Sequence, residues 1–513
     1  MRKFKFLIIV VLLVVGCKKT TQSKHDIIRQ TVHESLKTEK YRPKFHFTPK
    51  ANWMNDPNGL VYYNDNYHLF YQYYPDSTVW GPMHWGHARS KDLLNWEHRP
   101  VALYPDSLGY IFSGSAVIDK NNSSGFGQDA MIAMFTYHDP IKEKAGANDY
   151  QTQGIAYSTN EGETWTKYEG NPVIKNPGIR DFRDPKVFWN EDLSKWQMVL
   201  VAKDHVQIYE SENLKNWTKI SAFRYADHPP LGVWECPDLF KLKVAGTDEE
   251  KWILIISHGG ESGPNGGSGT RYFVGDYDGT TFTTEQEESQ WIDYGTDNYA
   301  GVTYNNTPNK KRLFIGWMSN WNYAVVTPTE TWRSAMTLPR ELLLIKKDNT
   351  YLVKSKPIVD FESLLVDIPE SEISGSVPTN FRYDRLQQSV ISFDTELQGA
   401  MAFELSNTIG ENYKIEYNSD NGVFSIDRSA SGHVDFSDAF KKTSRQNMNI
   451  GQRTNLSITI ILDASSVEIF IDDGAYVMTT QVFPNENYTH FKTYLNQDTT
   501  IKNFKIKKVK EIW

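Results

Sequence analysis

The chain has 513 residues and a mass of 59.1 kDa, room for about three domains of ordinary size, or for one large repeat domain with a smaller companion. Its 55 Lys and Arg against 63 Asp and Glu give a formal net charge of −8, which argues against a nucleic-acid partner, for which a basic surface is wanted. At 39% hydrophobic and 23% charged the chain is too apolar for disorder, and two cysteines leave no disulfide framework and no Cys-rich metal site.

Arg2, Lys3 and Lys5 precede an unbroken apolar run of ten residues, Phe6 to Val15. Such a run is half the roughly 20 residues that span a bilayer, but it suits the apolar part of a signal peptide. Leu13-Val14-Val15-Gly16-Cys17 follows and resembles a bacterial lipobox, in which cleavage before Cys17 leaves a lipidated N-terminus. Residues 1–17 therefore read as a lipoprotein signal peptide, and the polar stretch 18–40 as a tether. Lys18 disfavours retention in an inner membrane. The expected location is the outer membrane, on its periplasmic face or at the cell surface, with the lipid as the membrane contact.

Beyond residue 40 short apolar-aromatic runs alternate with Gly, Asn, Asp and Pro, the pattern of strands and turns. One unit recurs: Ala88 to Trp96, Ala156 to Trp165, Tyr209 to Trp217 and, more weakly, Val274 to Phe282. Each copy reads as a strand, a polar turn and an aromatic that opens the next strand. The closing aromatics lie 69, 52 and 65 residues apart, a spacing that suggests propeller blades. A further blade is inferred from the unrepeated sequence Leu313 to Arg340. Past Ile345 Trp becomes rare and alternation is cleaner, as in Ser457–Asp463 and Val467–Gly474, where Asp473-Gly474 signals a hairpin. The expected organisation is all-β: a five-bladed β-propeller over 41–345, a linker over 346–375, and a C-terminal β-sandwich with one wet face over 376–513.

Three acids stand in unusual surroundings. Asp56 lies in Trp53-Met54-Asn55-Asp56-Pro57-Asn58-Gly59, Asp184 in Arg183-Asp184-Pro185, and Glu235 in Trp234-Glu235-Cys236-Pro237-Asp238. Read one at a time, the first two are β-turns and the third a lone carboxylate between interior residue types. Together they fall near the starts of successive blades, whose first strands line a central channel, so acids distant in sequence can converge. Two carboxylates about 5–5.5 Å apart make a retaining glycosidase, one the nucleophile and one the acid and then the base. Burial and like charge raise the pKa of the partner that must start protonated. The excess of aromatics, with 15 Trp, 28 Tyr and 26 Phe, then has a use as sugar-stacking faces.

These motifs resemble glycoside hydrolase family 32, the invertase, levanase and inulinase family, over Tyr41 to Trp513. Trp80–His87, Phe112-Ser113-Gly114, Pro264–Gly269 and Leu338–Leu342 fit it as well. The resemblance implies a five-bladed propeller with a C-terminal sandwich. It implies Asp56 as nucleophile on a terminal β-fructofuranosyl unit, Asp184 as transition-state stabiliser and Glu235 as acid and base. Arg183 would orient the ring or tune Glu235, and Asn55, Gln72, Trp80, Phe112, Ser113 and Trp317 match positions that shape the fructose pocket. Trp80 and Trp317 also suit blade packing, and Gln72 and Ser113 strand hydrogen bonding. Asp297-Asn298-Tyr299-Ala300 resembles a segment at the pocket mouth, with Asp297 a substrate contact and Asn298 where exo-acting relatives carry an aromatic. The 13 histidines show no paired ligand spacing, and His84 and His87 lack a carboxylate partner, so no metal or cofactor is expected. The substrates implied are levan, inulin, short fructo-oligosaccharides and sucrose. An endo-acting levanase, a fructosyltransferase or a non-catalytic fructan-binding lipoprotein would use the same scaffold. The sandwich would brace the propeller, and oligomeric state is not legible.

Overall fold

The computed structural model describes residues 39–226, 231–347, 349–397, 399–496 and 499–512. The expected signal peptide, Cys17 and all of the tether but its last two residues lie outside them. Among the described residues no helix is long and apolar enough to cross a membrane.

Five antiparallel sheets follow one another along the chain, built on the spans Asn52–Leu103, Tyr110–Lys167, Phe182–Phe223, Trp234–Thr283 and Tyr299–Pro357. They are blades I to V. The first strand of each blade touches the first strand of the next, and that of blade V touches that of blade I, closing a ring around a channel. Burial grades outward as this packing requires. The first strand of blade I is almost wholly buried, whereas its fourth, Glu97–Leu103, is largely open. A short strand from blade V, Trp332–Arg333, pairs in parallel with Asn52–Trp53 and fastens the ring. The recurring sequence unit is the hairpin of third and fourth strands in blades I to IV. In blade V that hairpin is Arg340–Lys347 with Thr350–Pro357, and it lacks the Trp.

The propeller therefore extends past 345, which falls inside a paired strand. Arg340–Lys347 buries alternate residues and carries no Trp, so its texture is that of a sandwich strand. The sandwich starts earlier than 376. Leu365–Asp367 edges its six-stranded sheet and Ile373–Ser376 its seven-stranded sheet, both from the stretch expected as linker.

The seven-stranded sheet has the expected wet face: in Asn412–Asn418, Tyr413, Ile415 and Tyr417 point inward and their neighbours outward. The six-stranded sheet does not. Its outer face is covered, because Ile461, Phe470 and Val477 join a core cluster with Phe45, Ile358 and Phe361 of the propeller side. The Asp472–Gly474 turn forms as the hairpin signal indicated, all three residues at positive φ. Gly474 packs against the backbone of Ser355, whose N–H donates to the Gly474 carbonyl at 2.8 Å, and a Cβ there would sit 2.4 Å from the Ser355 oxygen.

Charge also crosses this joint. His46 bridges Asp463 and Glu468 at 2.7 Å each, Arg340 pairs with Glu468 at 2.5 Å and Asp293 at 2.8 Å, and Arg428 pairs with Asp297 at 2.8 Å. All of these side chains are buried. Buried ions are held only where each finds a partner, so propeller and sandwich are fused through their ionic contacts as well as through apolar ones.

Candidate active site

In every blade the first strand slips register near its start, between Met54 and Pro57, Ile111 and Gly114, Arg183 and Lys186, Glu235 and Asp238, and Tyr299 and Val302. Bulges of this kind re-aim side chains. Here they carry Asp56, Ser113, Asp184 and Cys236 at one end of the channel, with Asp184 at φ 64° and Cys236 at φ 46°.

Asp56 and Asp184 meet on one thiol. Cys236 Sγ lies 3.5 Å from Asp56 Oδ2 and 3.7 Å from Asp184 Oδ2, and the Cys236 N–H donates to Asp184 Oδ2 at 3.0 Å. Asp56 also accepts from Ser113 Oγ at 2.7 Å and Asn55 Nδ2 at 3.1 Å. Asn55 is held by the Trp53 indole N–H at 2.7 Å. Arg183 donates to Glu235 Oε1 at 2.9 Å and Asp181 Oδ1 at 2.7 Å, and its Nε is 3.9 Å from Asp184. Among the described residues no hydrogen bond reaches Asp184 Oδ1 or Glu235 Oε2, so each offers an acceptor to an incoming hydroxyl. The Glu235 side chain is 22% exposed and that of Asp184 6%, which puts the former nearer solvent. Beneath the acids the channel is filled. Lys186 Nζ lies 3.1 Å from Asp238, and Asn305 Nδ2 donates to the Ala116 and Val187 carbonyls at 2.9 and 3.0 Å.

Burial pushes all three carboxyl groups up from their ordinary range. Glu235 reaches about 7, with Arg183 opposing and the charges of Asp184 and Asp56 adding. Asp184 reaches about 6, again from burial, with Arg183 opposing and Asp56 adding. Asp56 rises by burial, against hydrogen bonds from Ser113, Asn55 and Cys236 that favour its ionised form. One group is thus held partly protonated at neutral pH beside a carboxylate solvated by donors.

The other expected contacts divide. Gln72 Nε2 donates to the Ile111 carbonyl at 3.0 Å and ties blade I to blade II. Phe112 lies against Trp80, centroids 6.1 Å apart, and stacks on His138 at 4.2 Å. Trp317 is fully buried against Trp53, Trp321 and Tyr299, and its indole N–H meets no acceptor among the described residues. Asp297 is not a pocket residue. It is buried at the joint with the sandwich, accepting from Arg428 at 2.8 Å, Tyr323 at 2.6 Å and the Gln481 N–H at 2.9 Å. Asn298 is no mouth residue either: it is buried, donates to Asp293 at 3.2 Å, and its Oδ1 occupies the space over Gly316. Glycine at 316 is what makes room for it.

Several partners were not foreseen. Thr136 Oγ1 accepts the Asp184 N–H at 3.0 Å and donates to Gln153 at 2.7 Å, which fixes the Asp184 backbone. Asp181 orients Arg183 and accepts from Tyr150 at 3.1 Å. Tyr299 is buried, its hydroxyl has no hydrogen-bond partner among the described residues, and with Glu235 Oε2 it faces Gly259. Of these only Tyr299 fell in a segment singled out above, Asp297-Asn298-Tyr299-Ala300. The others are ordinary residues whose role comes from position.

A propeller that gathers a carboxylate solvated by donors and a partly protonated one at its channel mouth fits a glycosidase of the two-carboxylate kind. Comparison with known proteins agrees. Residues 46–357 match the glycosyl hydrolases family 32 N-terminal domain, and 366–508 the family 32 C-terminal domain. The chain is 44% identical over 500 residues to a levanase of Bacillus subtilis, covering 93% of this chain and 71% of the relative. It is 39% identical over 489 residues to an extracellular exo-inulinase of Aspergillus niger, covering 88% and 91%. The crystal structure of exo-inulinase from Aspergillus awamori superposes with a TM-score of 0.84 at 34% identity, covering 93% of this chain and 99% of that one. The chain belongs to glycosyl hydrolase family 32.

Proposed function

We propose that the protein is a β-fructofuranosidase that removes terminal fructosyl units from fructans by a two-step retaining reaction. The observation that carries this is the convergence of Asp56 and Asp184 on Cys236 with Glu235 beside them. Asp56 attacks the anomeric carbon as the bond from that carbon to the bridging oxygen breaks, and Glu235 delivers its proton to the departing oxygen. Water then attacks the same carbon, Glu235 takes its proton, and the bond to Asp56 breaks. Asp184, with one oxygen unengaged, holds ring hydroxyls and favours the oxocarbenium-like transition state, while Arg183 holds Glu235. The exo-inulinase relative supports action at a chain end. The levanase and inulinase relatives support levan and inulin as substrates.

The test is incubation of a form starting after Cys17 with levan, inulin and sucrose, with products resolved over time. Fructose alone from the earliest points is expected. A ladder of oligosaccharides appearing first would instead establish an open cleft and endo action, and no product from any substrate would reject the enzyme. The lipobox-like segment supports attachment to a membrane through lipid on Cys17. Incorporation of labelled palmitate, lost in Cys17→Ser, is the corresponding check.

A further inference from the structure

We infer that a second carbohydrate platform lies outside the pocket, on the rim of blades I and II, and carries the outgoing chain of a long fructan. The inference rests on the fructan reading above and adds to it a site for residues beyond the bond cleaved. Because each first strand begins at the acid-bearing end, the links between second and third strands, and between one blade and the next, open on that same face. Three of these links, all in blades I and II, carry large apolar side chains into solvent, Trp80 at 39% exposed, Tyr104 at 55% and Ile141 at 80%, with Val79 and Leu108 beside them, whereas the blade V link exposes only the smaller Val325 and Val326 among the described residues. Exposed apolar surface gathered on one face marks a binding surface.

The arc is continuous with the site. Asp56 is bonded to Ser113, whose neighbour Phe112 meets Trp80 edge to face. His84, a few residues beyond Trp80, packs edge to face on Tyr104 at 5.4 Å. On the proposed path, chain leaving a fructosyl unit at Asp56 runs past Phe112 and Trp80 toward Tyr104, which opens on the same face. The platform is also rigid. The 104–109 loop closes through mutual backbone bonds between Asp106 and Gly109 at 3.2 and 3.1 Å, and Asp106 accepts from Tyr137 at 3.0 Å and pairs with Lys167. The Lys167 ammonium also donates to the Tyr104 carbonyl. His84 Nδ1 is fixed by the Pro82 carbonyl at 2.9 Å. Preorganised aromatic faces interspersed with polar groups suit a polyhydroxylated chain, which presents C–H faces and hydroxyls in turn.

The test compares Tyr104→Ala and Tyr104→Trp with the parent on sucrose and on long levan and inulin. Tyr104→Ala should raise KM for the polymers about tenfold, the value of one aromatic stacking contact of about 1.4 kcal/mol, while kcat and all constants on sucrose stay put. Tyr104→Trp should keep the parent's polymer KM. An equal rise on sucrose, or none on polymer, overturns the platform. Affinity electrophoresis in a Glu235→Gln background reads binding without turnover. Retardation by levan or inulin should weaken on adding Tyr104→Ala, and unchanged retardation, or none in the Glu235→Gln parent, overturns the inference. Cleavage failing while retardation persists would reject the enzyme reading and leave the platform standing.

Discussion

Two clusters of buried acids lie in this chain, one at the channel mouth and one between propeller and sandwich, and they are balanced in opposite ways. At the joint, Asp293, Asp297, Asp463 and Glu468 face Arg340, Arg428 and His46. Glu468 accepts through both oxygens and is driven down to about 2 by Arg340 and His46 against the pull of burial. His46 is driven up to about 9 by Asp463 and Glu468, again against burial. At the channel mouth Asp181, Asp184 and Glu235 share Arg183, with Arg180 adding its charge at Asp181, Asp56 pairs with no cation among the described residues, and burial wins at all but Asp181. A carboxylate with its charge met is a structural tie. One with its charge unmet holds a proton near neutrality and an oxygen open for substrate, which is what acid catalysis needs.

The comparison is broken most severely at Asp56. Asp56→Asn is expected to lower kcat by on the order of 10⁴-fold or more, as loss of a nucleophile does. The melting temperature should hold or rise, because burial of the Asp56 carboxylate opposes folding of its ionised form. Calorimetry alongside kinetics checks both. A lower melting temperature would mean that Asp56 is a tie like those at the joint.

Arg340→Met should do the reverse. It removes, in a dry interface, the cation paired with Asp293 and one of the two paired with Glu468, which keeps His46, and removing one member of a buried pair costs about 3–5 kcal/mol. Denaturant unfolding should show that loss, with kcat unchanged where the variant remains folded. The pH dependence of stability separates the clusters too. Glu468, with its folded pKa depressed, contributes above about 4.5, and the contribution is lost as pH falls toward about 2. His46, with its folded pKa raised, contributes fully below 6.5, and the contribution is lost as pH rises toward about 9. Glu235, raised to about 7, contributes stability below its ordinary value of 4.5 that is lost between there and pH 7. Glu235→Gln should therefore gain in melting temperature over the parent as pH rises through that range.

How much of this was legible in sequence follows from the range of the interactions. Local features were: third-strand hairpins marked by Trp96, Trp165 and Trp217, the Asp472–Gly474 turn, and motif-borne acids. The fifth blade escaped direct reading because its hairpin carries no Trp and buries only alternate residues. The joint escaped because its pairs are 131 residues apart for Asp297 with Arg428 and 422 for His46 with Glu468. That is why Asp297, in a segment resembling a pocket mouth, was expected to face sugar when it faces Arg428. The bulges that turn Asp184 and Cys236 into the channel leave no mark beyond the Asp184-Pro185 and Cys236-Pro237 pairs.

Arg183 sharpens the comparison as the cation that pairs with Asp181, Asp184 and Glu235. Its charge opposes the rise at Glu235, so Arg183→Gln should move the basic limb of kcat/KM, expected near pH 7, upward. Turnover falls as well, because Glu235 loses its anchor. An unmoved limb with lower turnover would leave Arg183 an orienting residue only.

The smallest expected effect lies at Cys236, whose thiol favours the ionised forms of both Asp56 and Asp184 by donating to them. Burial and the neighbouring carboxylates push the thiol itself far up, so it stays protonated and remains a donor. Cys236→Ala removes that donor and leaves the backbone N–H on Asp184 in place. The acid limb of kcat/KM, expected near pH 6 where Asp184 loses its proton, should then move upward by a fraction of a pH unit, a modest change against the roughly 1 kcal/mol net worth of a hydrogen bond. Cys236→Ser restores a stronger donor and should bring the limb back to or below the parent's. The pair of variants matters more than either alone. A packing role for the sulfur would lower activity in both without moving the limb, whereas a donor role moves it in opposite directions.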